Sequence, residues 1–537
     1  MNCYYQICIR KDATGHTWQN LAPVLEGVLP VKFIFSGMAE SDGVQVAGEI
    51  ITDLSAEPVA SGFCEPVSSF SLPADSCPSP DSQPVNIRVD FQDDPDVPFP
   101  FRGRTIRVRV AAQPRPLVLR GYERVLAVGE QGPVWTVAEV SGVKHFVSAF
   151  ALPGFGPESS LKDVLNEWGF MEMLPLICWL REICRPMAYA GPPLRACFIF
   201  DDPNLHWTHY GFVNYREMAE HAARENYHVA FATIPLDAWF AHKSTARLFR
   251  NNARQLSLMV HGNDHTKQEL ARDYAPSDRV ALLVEAMHRI ACLENRADVP
   301  VSRVMVPPHG ACSEAMLAEL PRCGFEAACI SHGSLRAHNA GKSWTRHLGY
   351  FPSELVQGCP VLPRWGLSGQ VENAVLLAAF LGQPMIFRGH HQDLKNGIEL
   401  LDDLAGFINR LGSVVWSNMT DLCRMNYQWR LEGDVFWVKP LGRKLLAQVP
   451  DQARQLVIEG AFPAGWDVSG INGEDFTVRA GEPVALPGSI NRQISISATS
   501  PLLDQSKNGR HRTTAHALLR RLLTEGRDRL IPFTGTH

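Results

Sequence analysis

The chain has 537 residues, 45% of them hydrophobic and 20% charged, with a formal net charge of −5. That length suits two to four domains rather than one. The composition is that of a globular protein, and the lack of a basic excess argues against a nucleic-acid binder. No stretch approaches the ~20 apolar residues that span a bilayer. The opening MNCYYQICIRKDATG lacks the apolar core and cleavage site of an export signal. Thirteen cysteines, an odd count without a CxxC pair, fit reduced buried thiols. The expected location is cytoplasmic.

Residues 1–165 read as a β-rich accessory domain. VKFIFSG, GVQVAGEII, VNIRVDF, TIRVRVA and PVWTVAEV are short runs rich in β-branched and aromatic residues. Two Pro/Ser/Asp-rich stretches, from Ser71 to Pro84 and from Asp93 to Pro100, read as surface loops. Such a domain buttresses its neighbour or binds a glycan or partner protein. Helical spacing starts at Leu161 in LKDVLNEWGFMEMLPLICWLREI, and GPP at 191–193 ends it.

Residues 166–425 form the next domain. Apolar strand-like runs appear at RACFIFDD (195–202), YHVAFATI (227–234), LSLMVHG (256–262) and VSRVMVPP (301–308). They continue at EAACISH (326–332), GCPVLPRW (358–365), PMIFRGHH (384–391) and SVVWSN (413–418), mostly with helical segments between them. This alternation predicts an α/β fold: a distorted (β/α) barrel of seven to eight strands, flanked by the N-terminal domain and a small C-terminal β-sandwich. A doubly wound open sheet fits the alternation nearly as well. No GxGxxG or GxxxxGK[ST] follows a strand, so a nucleotide cofactor has no support. Residues 426–503, with DVFWVKP, QLVIEGA, DFTVRAG, PVALPG and RQISISA, supply the sandwich. Residues 504–537 are a basic tail in which ALLRRLLTEGRDRL has helical spacing, expected to dock on the body as a surface helix.

The chemistry-bearing residues gather at strand ends. Asp201 and Asp202 end the first barrel strand. His261 ends the third and is followed by Gly-Asn-Asp-His265. His309 follows the fourth, Arg364 lies on the sixth, and Arg388, His390 and His391 lie on the seventh. Carboxyl ends of parallel strands form the face where catalytic groups converge in such barrels. Each motif also has a plain structural use: adjacent acids can cap a helix, and a strand-end histidine can cap a loop. Together they are harder to dismiss, because buried strand ends cannot carry so many ionisable groups unless these satisfy one another or a metal. One carboxylate and two imidazoles make a three-ligand site with an open position, suited to Zn²⁺ or a similar divalent ion. Such an ion lowers the pKa of bound water toward ~7. A second carboxylate can then take the water's proton, and a histidine can protonate a departing amine.

At these residues the sequence resembles the NodB-type polysaccharide deacetylases. Their Phe-Asp-Asp-Gly motif is matched by Phe200-Asp201-Asp202-Pro203, and their His-Ser/Thr-x-x-His motif by His261-Gly262-Asn263-Asp264-His265. Their Arg-x-Pro-Tyr/Phe-Gly is echoed by Val306-Pro307-Pro308-His309-Gly310, and their Leu-x-His by Phe387-Arg388-Gly389-His390-His391. The resemblance implies Asp201 as general base and Asp202, His261 and His265 as ligands of a divalent metal, with zinc favoured. It implies His390 or His391 as general acid, and strand parity favours His390 by placing it on the face of Arg388. The third motif lacks the family's arginine, which Arg364 or Arg388 can replace. His309 occupies the aromatic position whose backbone N–H helps bind the oxyanion. Trp207, in the loop after the acid pair, stacks on a sugar ring or simply packs. The implied activity is N-acetyl removal from an amino-sugar glycan or oligosaccharide. The alternatives are hydrolysis of a cyclic or other non-glycan amide, or a catalytically impaired glycan-binding scaffold.

Overall fold

The computed structural model describes residues 4–10, 16–35, 46–52, 54, 67–73, 83–460, 465–471, 474–486, 493–499 and 511–534. Most of the expected loop between Ser71 and Pro84, and the start of the basic tail, lie outside them. The chain divides into two compact units. One comprises Met1–Ala188, Gly341–Phe351 and Asn373–Leu381; the other comprises Tyr189–Ala340, Pro352–Glu372 and Gly382–His537. Among the described residues, no helix is long and apolar enough to cross a membrane.

The first unit is built on a nine-stranded mixed sheet. Its antiparallel half holds Val85–Phe91, Thr105–Val110, Arg124–Gly129 and Gly132–Val140. TIRVRV alternates exposed and buried positions there, as a strand with one wet face requires. The other half is parallel, running through Val31–Phe35, Tyr5–Ile9, Val46–Ile51 and Ser68–Ser71 to Val143–Ser148. Parallel neighbours need a crossover, and the helix His16–Glu26 supplies the first by burying Trp18 near Phe33. The unit is therefore an α/β layer and not only the β-rich domain expected. The long helix expected from Leu161 is also broken into Leu161–Val164 and Leu174–Ile183. Gly169 falls in the gap, and Pro175 fits the first turn of the second piece, where its missing N–H costs nothing.

The second unit holds a curved parallel sheet, a half-barrel, in the order Glu354–Val356, Cys359–Leu362, Ala327–Cys329, Val301–Val306, Leu256–His261, Val229–Thr233, Arg195–Asp201, Met385–Gly389 and Trp365–Gly366. Only Glu354–Val356 runs antiparallel to its neighbour, and the short Val415–Trp416 pairs with the start of Arg195–Asp201. Residues 359–366 pair at one end with Ala327–Cys329 and at the other with Met385–Gly389, joining the two ends of the sheet order. The central strands are apolar between their ends because both faces are covered; Arg195–Asp201 and Val229–Thr233 have no exposed position. Helices between them start and stop at readable signals. Asn214 caps Tyr215–Glu225 by accepting from the N–H groups of Arg216 and Glu217, and Pro276 opens Pro276–Ala297.

One face of the curved sheet packs a core of Cys197, Ile199, Ala230, Ala232, Met259, Val304, Val306, Ala327, Cys329, Leu362 and Ile386, plugged by Met419, Leu422 and Cys423. Side chains alternate along a strand, so the next positions on this face are Asp201, His261, Arg364 and Arg388. The polar site is the layer above an apolar plug.

Two four-stranded sheets follow, Tyr427–Glu432, Val435–Pro440, Gln455–Ile458 and Val484–Ala485 facing Lys444–Gln448, Gln493–Ala498, Trp466–Ile471 and Glu474–Val478. Phe436, Leu456, Trp466 and Ile496 share one core between them, a β-sandwich. The tail is the helix Ala515–Thr534. Its inner face carries Arg521, Glu525 and Asp528, whereas Leu518, Leu519, Leu522, Leu523 and Leu530 are exposed.

Candidate active site

A cavity of about 210 Å³ opens at the carboxyl ends of the strands. Asp201, Asp202, His261, His265, His309, Arg364, Arg388 and His390 line it, so eight of the ten side chains singled out in the sequence meet in one place. Gly310 and Ser334 complete the wall. His391 does not line it: its ring is buried, stacks on Phe212 at 5.9 Å and lies 3.9 Å from Asp528. Trp207 does not line it either; it is 56% exposed, with the Arg529 guanidinium over its ring.

Asp202, His261 and His265 form the one group of three or more His, Cys, Asp or Glu residues with metal-ligand spacing among the described residues. Their donor atoms all lie within 4.8 Å of one another. Asp202 Oδ1 is 3.1 Å from His265 Nε2 and 3.6 Å from His261 Nε2, and it is a buried oxygen that accepts no hydrogen bond in the structure. An orphaned carboxylate oxygen costs desolvation energy unless something positive satisfies it. His261 Nδ1 donates to the Val306 carbonyl at 2.9 Å, which fixes the ring orientation and turns Nε2 toward Asp202. Burial, reinforced by neighbouring His261, pushes His265 down to about 3, so its ring is neutral and a competent donor near pH 7. One carboxylate, two imidazoles and an unsatisfied oxygen fit a divalent cation.

Asp201 has a different neighbourhood. It is 4% exposed and accepts from Arg364 Nη1 at 3.1 Å on each carboxylate oxygen. Burial opposes its charge, but Arg364 first, then His261, His390 and Arg388, hold its carboxyl below the ordinary range. Asp201 is therefore an ionised, oriented base beside the three-donor group. Of the two arginines left open by the sequence, Arg364 makes this contact. Burial, followed by the charge of Arg364, holds the Arg388 guanidinium below its usual value. Burial, and then His261, lowers His309.

Three site residues have left-handed backbones uncommon outside glycine: Asp202 (φ 86°), His265 (φ 55°) and His309 (φ 58°). Each costs about 1–3 kcal/mol and persists only where the surroundings over-determine it. Gly262, at φ 62°, stands where the resembled motif has serine or threonine. A Cβ there would fall 2.5 Å from both Glu269 Oε2 and Pro308 Cγ. The close approach is used, because Glu269 accepts from the N–H groups of Asn263, Asp264 and His265 at 2.7–3.1 Å. Glu269 was not singled out in the sequence, although a carboxylate four residues after His265 is the available signal.

The sequence matches no protein-family model, and comparison with curated proteins finds no match. Among solved structures the chain is similar to Agd3, described as a novel carbohydrate deacetylase, at 10% identity over 93% of this chain and 99% of that one, with a TM-score of 0.48. It is also similar to a family 4 carbohydrate esterase from Streptomyces lividans in complex with acetate, at 10% identity over 43% of this chain and 94% of that one, with a TM-score of 0.27.

Proposed function

We propose that this chain is a metal-dependent hydrolase that removes N-acetyl groups from an amino-sugar glycan, with its half-barrel acting as the distorted (β/α) barrel of a deacetylase. The observation that carries the reading is the pairing in one cavity of the Asp202–His261–His265 donor group with an ionised Asp201 held by Arg364. Asp202, His261 and His265 hold the ion, for which zinc is the proposed identity. When bound, the ion polarises the acetyl carbonyl and makes water acidic enough to deprotonate near neutral pH.

The remaining work falls to the chain's own side chains. Asp201 accepts the proton of the attacking water at a carboxylate oxygen, and Arg364 keeps that carboxylate ionised and aimed. His390, on the face it shares with Arg388, gives a proton to the departing amine nitrogen. His309 and Arg388 bind the acetyl oxygen and the sugar. A protein that only bound glycans would have no use for the base beside the donor group. The test is acetate release from N-acetylated oligosaccharides: wild type releases acetate, and Asp201→Asn retains metal but loses release. A metal-loaded wild type inactive on every N-acetylated glycan overturns the assignment.

A further inference from the structure

We propose that the C-terminal segment from His511 to Arg521 is a positioning element for the metal-ligand loop, acting through Asp264; this rests on the metal-site reading above. The loop Gly262–His265 needs such help. Both its ends have left-handed backbones, at φ 62° and 55°, and a non-glycine residue there relaxes unless it is held. Asp264, between the two histidines in sequence, is buried and absent from the cavity wall. Its carboxylate accepts from His511 Nε2 at 2.8 Å, Thr513 Oγ1 at 2.8 Å and Arg289 Nη1 at 2.7 Å. Arg289 closes the cluster by donating to Thr513 Oγ1 at 2.6 Å and Asn263 Oδ1 at 2.9 Å.

Two further ties reach the loop from the helix Ala515–Thr534, which follows His511 and Thr513 in the chain. Arg520 donates to the carbonyl of His265 itself. Arg521 pairs with Asp237 at 2.6 Å, and the N–H of Leu236, in the same turn as Asp237, donates to the Asn263 carbonyl at 3.0 Å. The orientation of the helix agrees with this use. A helix recruited only to cover surface would turn its leucines inward. This one buries Arg521, Glu525 and Asp528 at 5%, 8% and 2% exposure and leaves five leucines outside. Its contact with the body is made of directional, charge-assisted bonds, which fix geometry. Asp264, His511 and Thr513 are absent from the cavity wall, so the role assigned to them is positioning.

The test uses the full-length protein with His511→Ala and Thr513→Val combined, against the conservative pair His511→Gln and Thr513→Ser. Co²⁺ affinity is measured by competition with a chromophoric chelator, with the visible spectrum of the Co²⁺ form and hydrogen exchange at residues 262–265. The Ala/Val pair is expected to bind Co²⁺ 10- to 100-fold more weakly, the usual loss for an outer-shell partner, with an altered spectrum and faster exchange in the loop. The Gln/Ser pair is expected to return affinity to within about threefold of wild type. If the Ala/Val pair fails to fold, Thr513→Val alone is expected to show the same changes in smaller measure. Affinity, spectrum and exchange all unchanged in a folded Ala/Val or Thr513→Val protein overturn the inference and leave the metal site standing. A wild type that binds no Co²⁺ overturns both.

Discussion

Replacing Arg364 with methionine removes the partner of Asp201 and keeps most of the side-chain volume. In the native protein both carboxylate oxygens lie 3.1 Å from Arg364 Nη1, and Asp201 is 4% exposed. The substitution leaves a largely buried charge with only His261, His390 and Arg388 near it. Breaking such a pair costs about 3–5 kcal/mol near neutral pH. The pH dependence gives the sign. In wild type the Asp201 carboxyl titrates below its ordinary value, so its stabilising contribution is present above pH ~4 and lost as pH falls through the folded pKa. Without Arg364, burial raises that pKa, and a neutral Asp201 no longer needs a partner in acid. The stability gap should therefore be widest at pH 7 and shrink toward pH 4. Urea denaturation of metal-free protein at the two pH values measures it. The acid limb of kcat/KM for acetate release should move to higher pH, with a loss of about 100-fold at neutral pH, within the usual range for a general base. A gap below ~1 kcal/mol at pH 7 with an unmoved acid limb would refute the pairing argument.

Other substitutions separate roles that adjacent residues share. His390→Ala should lower kcat by about 10²–10⁴-fold with little change in melting temperature. His391→Ala, which empties a buried site against Tyr210 and Phe212, should instead cost about 2–3 kcal/mol and spare more of kcat. Equal kinetic effects would contradict the cavity assignment. Gly262→Ala should destabilise the metal-free protein by about 1–3 kcal/mol and weaken metal binding, since its Cβ meets Glu269 and Pro308 at 2.5 Å; an unchanged melt would show the loop to be more yielding. His228, pushed down to about 4 by burial between the Arg254 carbonyl and Ser257, stays neutral in the fold. Stability should fall as pH drops from about 6.5 toward 4, where only the unfolded chain takes up that proton, and His228→Gln should flatten the slope.

The strands of the half-barrel were legible because parallel strands buried on both faces read as apolar runs, and all eight segments between RACFIFDD and SVVWSN carry strand. The alternation along PMIFRGHH likewise put Arg388 and His390 on one face, where the cavity has them. What stayed hidden depends on partners far away in sequence. Arg364 and Arg388 are equally placed to replace the missing arginine until a contact spanning 163 positions distinguishes them. The parallel half of the first unit was obscured because its crossover helix, HTWQNLAPVLE, carries Pro23 inside it. The tail was readable as a helix but not as one that buries its charges. Its spacing of Arg521, Glu525 and Asp528 marks a single face, yet only the acids and bases opposite them make that the inner one.

The proposed function requires that Asp202, His261 and His265 hold one divalent ion. Metal-free protein titrated with Zn²⁺ under equilibrium dialysis tests it most directly. The expected result is one tightly held ion per chain, lost in His265→Ala and in Asp202→Ala and retained in Asp201→Asn, because Asp201 is tied to Arg364 and belongs to no ligand set. A wild-type chain that holds no Zn²⁺, or a His265→Ala chain that holds as much as wild type, would rule out this ligand set.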